Sequence, residues 1–141
     1  MKGKLNIEGL NAGDPIPKYG FFIEKKNYRK YNRIIREINP LHINKKFAQN
    51  LGFRDVVVAG NFIYTLVPKW LIDWINQNNV VKKIQIKFHE PVYVDEKFII
   101  SGKILEILKD RLSYQLICEF QIEKITGELT ANGIAELVIP I

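Results

Sequence analysis

The chain has 141 residues, enough for one domain and too few for two ordinary ones. Its 47% hydrophobic and 26% charged residues describe a core-forming rather than a disordered chain, and no apolar run reaches the ~18 residues of a membrane span. The lone Cys118 excludes an internal disulfide, and the net charge of +6, crowded between Lys25 and Lys46, fits a solvated basic face, a small polyanion or nucleic acid, though no nucleic-acid motif accompanies it.

Residues 1–20 contain Gly13-Asp14-Pro15 and Pro17 and are read as an extended N-terminal segment of a single domain spanning 1–141. It has no apolar stretch of signal-peptide length, and a cytoplasmic location is expected. A short strand is expected at Phe21 to Ile23. Residues 27–38 place Tyr28, Tyr31, Ile34, Ile35 and Ile38 at helical spacing behind Asn27 as N-cap, with Asn39-Pro40 as the stop. A second short helix is expected over residues 44–50, with Gly52 as terminator. After an extended stretch at 55–59, Gly60-Asn61 opens a helix in which Phe62, Ile63, Leu66, Val67, Trp70, Leu71 and Trp74 leave few polar faces. A helix apolar on nearly all sides is a buried helix; Pro68 inside it kinks it or removes a hydrogen bond, and Asn76-Gln77-Asn78-Asn79 ends it.

Beyond Val80 the period changes to two. Ile84, Ile86 and Phe88 alternate with polar residues, as do Leu112, Tyr114, Leu116, Cys118, Phe120 and Ile122, and Leu129, Ala131, Gly133, Ala135, Leu137 and Ile139 share one face. Turn signals at Lys109-Asp110-Arg111 and Thr126-Gly127 make these consecutive antiparallel strands, each with one buried face. A curved sheet with one apolar face needs a partner, and the apolar helix supplies it. The expected architecture is α+β, a sheet wrapped around a central helix in the hot-dog manner.

The chemically informative stretch is Glu37-Ile38-Asn39-Pro40-Leu41-His42. Proline locks the turn, so Glu37 and His42 can converge on one small volume, where a carboxylate beside an imidazole holds and activates a water. The carboxylate can fix the imidazole tautomer or act as the base itself. Spacing alone leaves open a structural histidine. Gly60 begins the buried helix, whose unpaired N–H groups and partial positive charge suit an oxyanion; a cap that serves only packing is the other reading.

Asn39-Pro40-Leu41-His42, with Ala48 six positions on, resembles the signature of the MaoC-like (R)-specific enoyl-CoA hydratase/dehydratase family. The segment from Gly52 to Gly60, Phe88-His89-Glu90-Pro91-Val92 and Thr126-Gly127-Glu128 are similar to that family's later landmarks. The resemblance implies reversible hydration of an enoyl thioester, carried by CoA or an acyl carrier, to the 3-hydroxyacyl thioester. It assigns the catalytic carboxylate to Glu37, the catalytic histidine to His42, a supporting, substrate-binding asparagine to Asn39 and the oxyanion-hole glycine to Gly60. Glu37 stands where the family has aspartate, and Val58-Ala59-Gly60 where it often has Ala-His-Gly.

Two other functions compete. A non-catalytic acyl-CoA-binding subunit would complete the site of a hot-dog partner. A hot-dog thioesterase would need a carboxylate on the central helix near the thioester, yet residues 61–69 carry none and Asp73 comes late. His89 reads as a surface residue of a strand, Cys118 as a buried thiol, and Trp70 and Trp74 as core or dimer contacts. With two histidines and one cysteine no metal is expected, nor any cofactor beyond the thioester itself. An open sheet edge predicts a homodimer, or a heterodimer with another hot-dog subunit, without nucleic acid or membrane.

Overall fold

The computed structural model describes residues 3–141, so Met1 and Lys2 of the expected N-terminal segment lie outside the described residues. A short 3₁₀ turn, Ile7–Gly9, precedes β1 (Pro15–Phe22). Three helices follow, α1 (Lys25–Ile34), α2 (Pro40–Ile43) and α3 (Lys45–Asn50), then the long α4 (Gly60–Ile75). The remainder is β2 (Val81–Phe88), β3 (Lys97–Lys109), β4 (Ser113–Lys124) and β5 (Leu129–Pro140). All strand pairs are antiparallel, in the order β1-β3-β4-β5-β2.

Alternation on β4 and β5 is strict enough to set one face inward. Tyr114, Leu116, Cys118, Phe120 and Ile122, with Ala131, Ala135, Leu137 and Ile139, are buried against Ile63, Val67, Trp70, Leu71, Trp74 and Ile75 of α4. Leu112, expected to begin this face, is instead 80% exposed in the turn before β4. Register shifts interrupt all four strand pairs, and such bulges bend a sheet and increase its twist, which suits one that wraps a helix. Gly133 allows β5 to lie close to β2: a Cβ there would overlap the Gln85 carbonyl oxygen and the Phe120 ring.

The central helix is less uniformly apolar in place than its sequence implies. Asn61, Thr65, Lys69 and Asp73 recur every fourth residue along an exposed line, while Phe62, Leu66, Pro68 and Ile72 are half-buried flanks. Pro68 removes one donor without ending the helix, and Asn76 closes it in the left-handed conformation (φ 57°). Among the described residues, no helix is long and apolar enough to cross a membrane.

The first helix departs most from expectation. It spans Lys25–Ile34, behind Glu24 rather than Asn27, and stops well before Asn39. Arg36 takes a left-handed φ of 57°. The Arg36 N–H donates to the Arg33 carbonyl at 3.2 Å and the Glu37 N–H to the Asn32 carbonyl at 2.9 Å. These two bonds make a Schellman stop with arginine in place of the usual glycine. The expected apolar face therefore ends early: Ile34 and Ile38 are 70% and 87% exposed, and the buried residues of α1 are Tyr28 and Asn32.

Candidate active site

Directly after this stop, the chain turns through a tightly specified loop. The Glu37 carboxylate accepts the Asn39 N–H at 3.0 Å, and the Asn39 side chain accepts the Leu41 N–H at 3.1 Å, capping α2 with Pro40 in its first turn. Asparagine is a strong N-cap and proline suits the first helical position, so the Asn-Pro pair specifies this short helix locally. Asn44 caps α3 in the same way, accepting the Phe47 N–H at 3.0 Å.

His42 lies on α2, half-buried, with Nδ1 2.7 Å from the Val57 carbonyl oxygen. A carbonyl only accepts, so Nδ1 carries the proton and the neutral ring keeps its lone pair on Nε2. The Val57 N–H donates back to the Leu41 carbonyl at 3.1 Å, which locks the two segments together. Tyr28 completes the frame from beneath. Its hydroxyl donates to the His42 carbonyl at 3.1 Å and accepts the Ala59 N–H at 3.0 Å. Ala59 is the N-cap of α4, so one phenol ties the histidine's backbone to the start of the central helix. Phe62 packs edge-on against Tyr28 and Tyr31, with ring centroids 5.4 and 4.9 Å away.

Burial pushes the Tyr28 hydroxyl above its ordinary pKa, the Asn32 side chain and the Ala59 N–H oppose this, and the Glu37 charge adds to the rise. Tyr28 is therefore a neutral donor wherever the protein is folded near neutrality. Cys118 is buried, and burial pushes its thiol from 9.0 up to about 12. A folded-state pKa above the unfolded one contributes stability that is present below about pH 9 and is lost as pH rises toward about 12. The urea midpoint should fall above pH 9 and fall less steeply in Cys118→Ala; parallel curves would contradict this assignment.

A cavity of about 490 Å³ opens beside this frame, within the range of small-molecule sites. Tyr28, Asn32, His42, Val56 and Val94 form part of its wall, and Lys25, Arg29, Arg33 and Lys45 bring positive charge to it. His42 is the one expected site residue in that wall. Glu37 and Asn39 shape the loop that presents it, and Gly60 stands at the start of α4, an end without a side-chain cap. The Phe88 ring leans over Gly60, so that a Cβ there would come within 3.0 Å of its Cε2. Tyr28 and Asn32 are the site residues that sequence reasoning passed over; their i, i+4 spacing put them on one helix face, the only signal available. His89 lies exposed, Nε2 2.6 Å from Asn132 Oδ1, and Trp70 is buried with its indole N–H donating to the Pro17 carbonyl at 2.8 Å.

Residues 13–110 match the family model described as the MaoC like domain. The chain belongs to the MaoC-like family. β4 and β5 fall outside the matched residues but complete the same sheet of this MaoC-like domain. A mitochondrial 3-hydroxyacyl-(acyl-carrier-protein) dehydratase, FERN, of tomato (Solanum lycopersicum) is 26% identical over 110 residues, 78% of this chain; the chain spans 66% of that relative's length. The (R)-hydratase of A. caviae involved in PHA biosynthesis superposes with a TM-score of 0.81 at 18% identity, covering 94% of this chain and 99% of that one. The HadBC (3R)-hydroxyacyl-ACP dehydratase complex of Mycobacterium tuberculosis gives 0.77 at 18% identity, covering 96% and 98%. At these identities the solved structures speak for the fold, which is the hot-dog fold.

Proposed function

We propose that this MaoC-like domain catalyses reversible hydration of a 2-enoyl thioester to the 3-hydroxyacyl thioester. The observation that carries the reading is His42, a residue of the wall of a substrate-sized cavity whose Nδ1 is engaged by the Val57 carbonyl, which leaves Nε2 as the nitrogen that can accept a proton. In the hydration direction Nε2 takes a proton from water as its oxygen bonds to C3. The C2–C3 π electrons move toward C2 and the thioester carbonyl, forming an enolate, and a proton is then delivered to C2. Glu37 acts with His42 on the water and this proton, and the Gly60 N–H faces the enolate oxygen at the uncapped end of α4. The name of the tomato relative and the (R)-hydratase fold match support this reaction class.

The basic groups beside the cavity suit the phosphates of CoA or of a carrier's prosthetic arm. The test is the loss of enoyl absorbance with short and medium enoyl-CoAs at low and high salt. Turnover with a KM that rises with ionic strength is expected; absence of turnover at either salt would overturn the proposal.

We also propose a dimer of hot-dog folds. β1 and β2 are the sheet's edges, β2 carries exposed Lys82, Lys83, Gln85 and Lys87, and Tyr64 on α4 is 41% exposed. Light scattering should give twice the chain mass of 16.4 kDa, and a monomeric mass at micromolar concentration would contradict it. Glu37, placed in the loop rather than the cavity wall, favours one second reading: a binding subunit that completes a partner's site. Heteromeric structures with this fold include the HadBC and ChsH1-ChsH2 complexes of Mycobacterium tuberculosis.

A further inference from the structure

The Val57 carbonyl that holds His42 belongs to a segment with little structure of its own. Residues 53–59, between α3 and α4, form neither helix nor strand, so no ladder of hydrogen bonds fixes where that carbonyl points. The Val57 N–H bonds to the Leu41 carbonyl, on the same short helix as His42, which ties loop to loop. Anchorage toward the sheet comes from the connection between β2 and β3. The Val58 N–H donates to the Val92 carbonyl at 2.7 Å, and the Arg54 side chain reaches the same connection further along. Its guanidinium lies 4.2 Å from the centroid of the Tyr93 ring and donates to Glu96 Oε1 at 2.6 Å. Glu96 immediately precedes β3, and its other oxygen pairs with Lys124 of β4 at 3.5 Å.

An isolated ion pair at the surface holds little. Here the guanidinium is planar, so an aromatic face and a carboxylate together fix both its position and its tilt. The Glu96 and Lys124 side chains that back it are only 21% and 20% exposed. Arg54 stands three residues before Val57, and the described wall of the His42 cavity does not include it. We infer that Arg54 is a positioning residue: clamped between Tyr93 and Glu96, it aims the Val57 carbonyl at His42 Nδ1 and so keeps Nε2 free to take a proton. Without a fixed acceptor at Nδ1, a neutral imidazole places its proton on either nitrogen.

The catalytic consequence rests on the thioester-hydration reading, whereas the clamp itself does not, so the two can fail separately. In protein labelled with ¹⁵N-histidine, long-range ¹H–¹⁵N spectra at a pH where the imidazoles are neutral show which ring nitrogen carries the proton. The chain has two histidines, and His42→Ala identifies the signals of His42. The wild-type protein should show His42 with the proton on Nδ1. Arg54→Met, which loses the charge and the plane, should bring the two nitrogen shifts of His42 toward each other. With an enoyl-CoA the same variant should lose about tenfold in kcat at nearly constant KM, as small misplacements of a reacting group do. Glu96→Gln should act in the same way, and Arg54→Lys, which keeps the ion pair, should recover part of both effects. The Arg54 side chain is 58% exposed, so these variants should fold, as circular dichroism would check. His42 shifts unmoved in Arg54→Met and Glu96→Gln would overturn the assignment. So would a rise in KM alone, which would make Arg54 a phosphate contact. A merely stabilising ion pair would lower the melting temperature and leave the shifts and kcat intact. Shifted signals in a protein without turnover would support the clamp while sinking the hydration reading.

Discussion

Replacing His42 by alanine should lower kcat/KM for enoyl-thioester hydration by about 10²–10⁴-fold, the usual contribution of an acid–base group. The side chain is half-buried and, among the described residues, is hydrogen-bonded to the Val57 carbonyl alone, so the fold should survive and the loss should appear mainly in kcat. Glu37→Gln separates two roles that the geometry joins. As a working carboxylate, Glu37 loses its charge and activity falls by about 10²-fold or more. As a loop support only, glutamine still offers an oxygen to the Asn39 N–H, and activity persists. The account expects the first result, and expects the double variant to lose little beyond His42→Ala, because both groups act on one water. Glu37→Asp, the family's residue, should retain activity. Full activity in a correctly folded Glu37→Gln would move the second acid–base role to another group.

Tyr28→Phe should be the most damaging change that leaves the ring in place. Its hydroxyl accepts the buried Ala59 N–H at 3.0 Å and donates to the His42 carbonyl at 3.1 Å. Phenylalanine preserves the packing on Phe62 and leaves a buried donor unmet, at a cost of about 1–3 kcal/mol. Urea unfolding should show that loss, and kcat should fall as well, because the same hydroxyl anchors both the histidine loop and the start of α4. Tyr31→Phe is the control, since Tyr31 meets Phe62 through its ring and is far less buried. Equal effects of the two substitutions would show that the hydroxyl of Tyr28 organises nothing.

The sheet and the central helix were legible because their signals are local and repeated. Alternation from Tyr114 to Ile122 sets a face without reference to the rest of the chain, and the second expected helix is α3. Asn39-Pro40 reads as a stop, so the short α2 that Asn39 caps was not expected. β1 was legible only at its end. Pro15 and Pro17 mask it in sequence, and proline is tolerated there because β1 is an edge strand. The stop of α1 was hidden for another reason: its left-handed residue is Arg36, whose side chain announces no turn. Glu37 and His42 were found through a motif, but what fixes the histidine is the Val57 carbonyl, a backbone group that no residue type advertises. Tyr28 reads as one residue of a helix face; its polar work exists only once α1 packs under the loop that carries His42.

The most direct test of hydration at this site uses the wild-type protein with a 3-hydroxyacyl-CoA in ¹⁸O-labelled water, read by mass spectrometry. Reversible dehydration exchanges the oxygen at C3, so the account predicts label in the 3-hydroxyl of an intact thioester, and none in His42→Ala on the same timescale. Label in the carboxylate of a released acid would mean thioester hydrolysis, and no label from the wild-type protein would contradict the account.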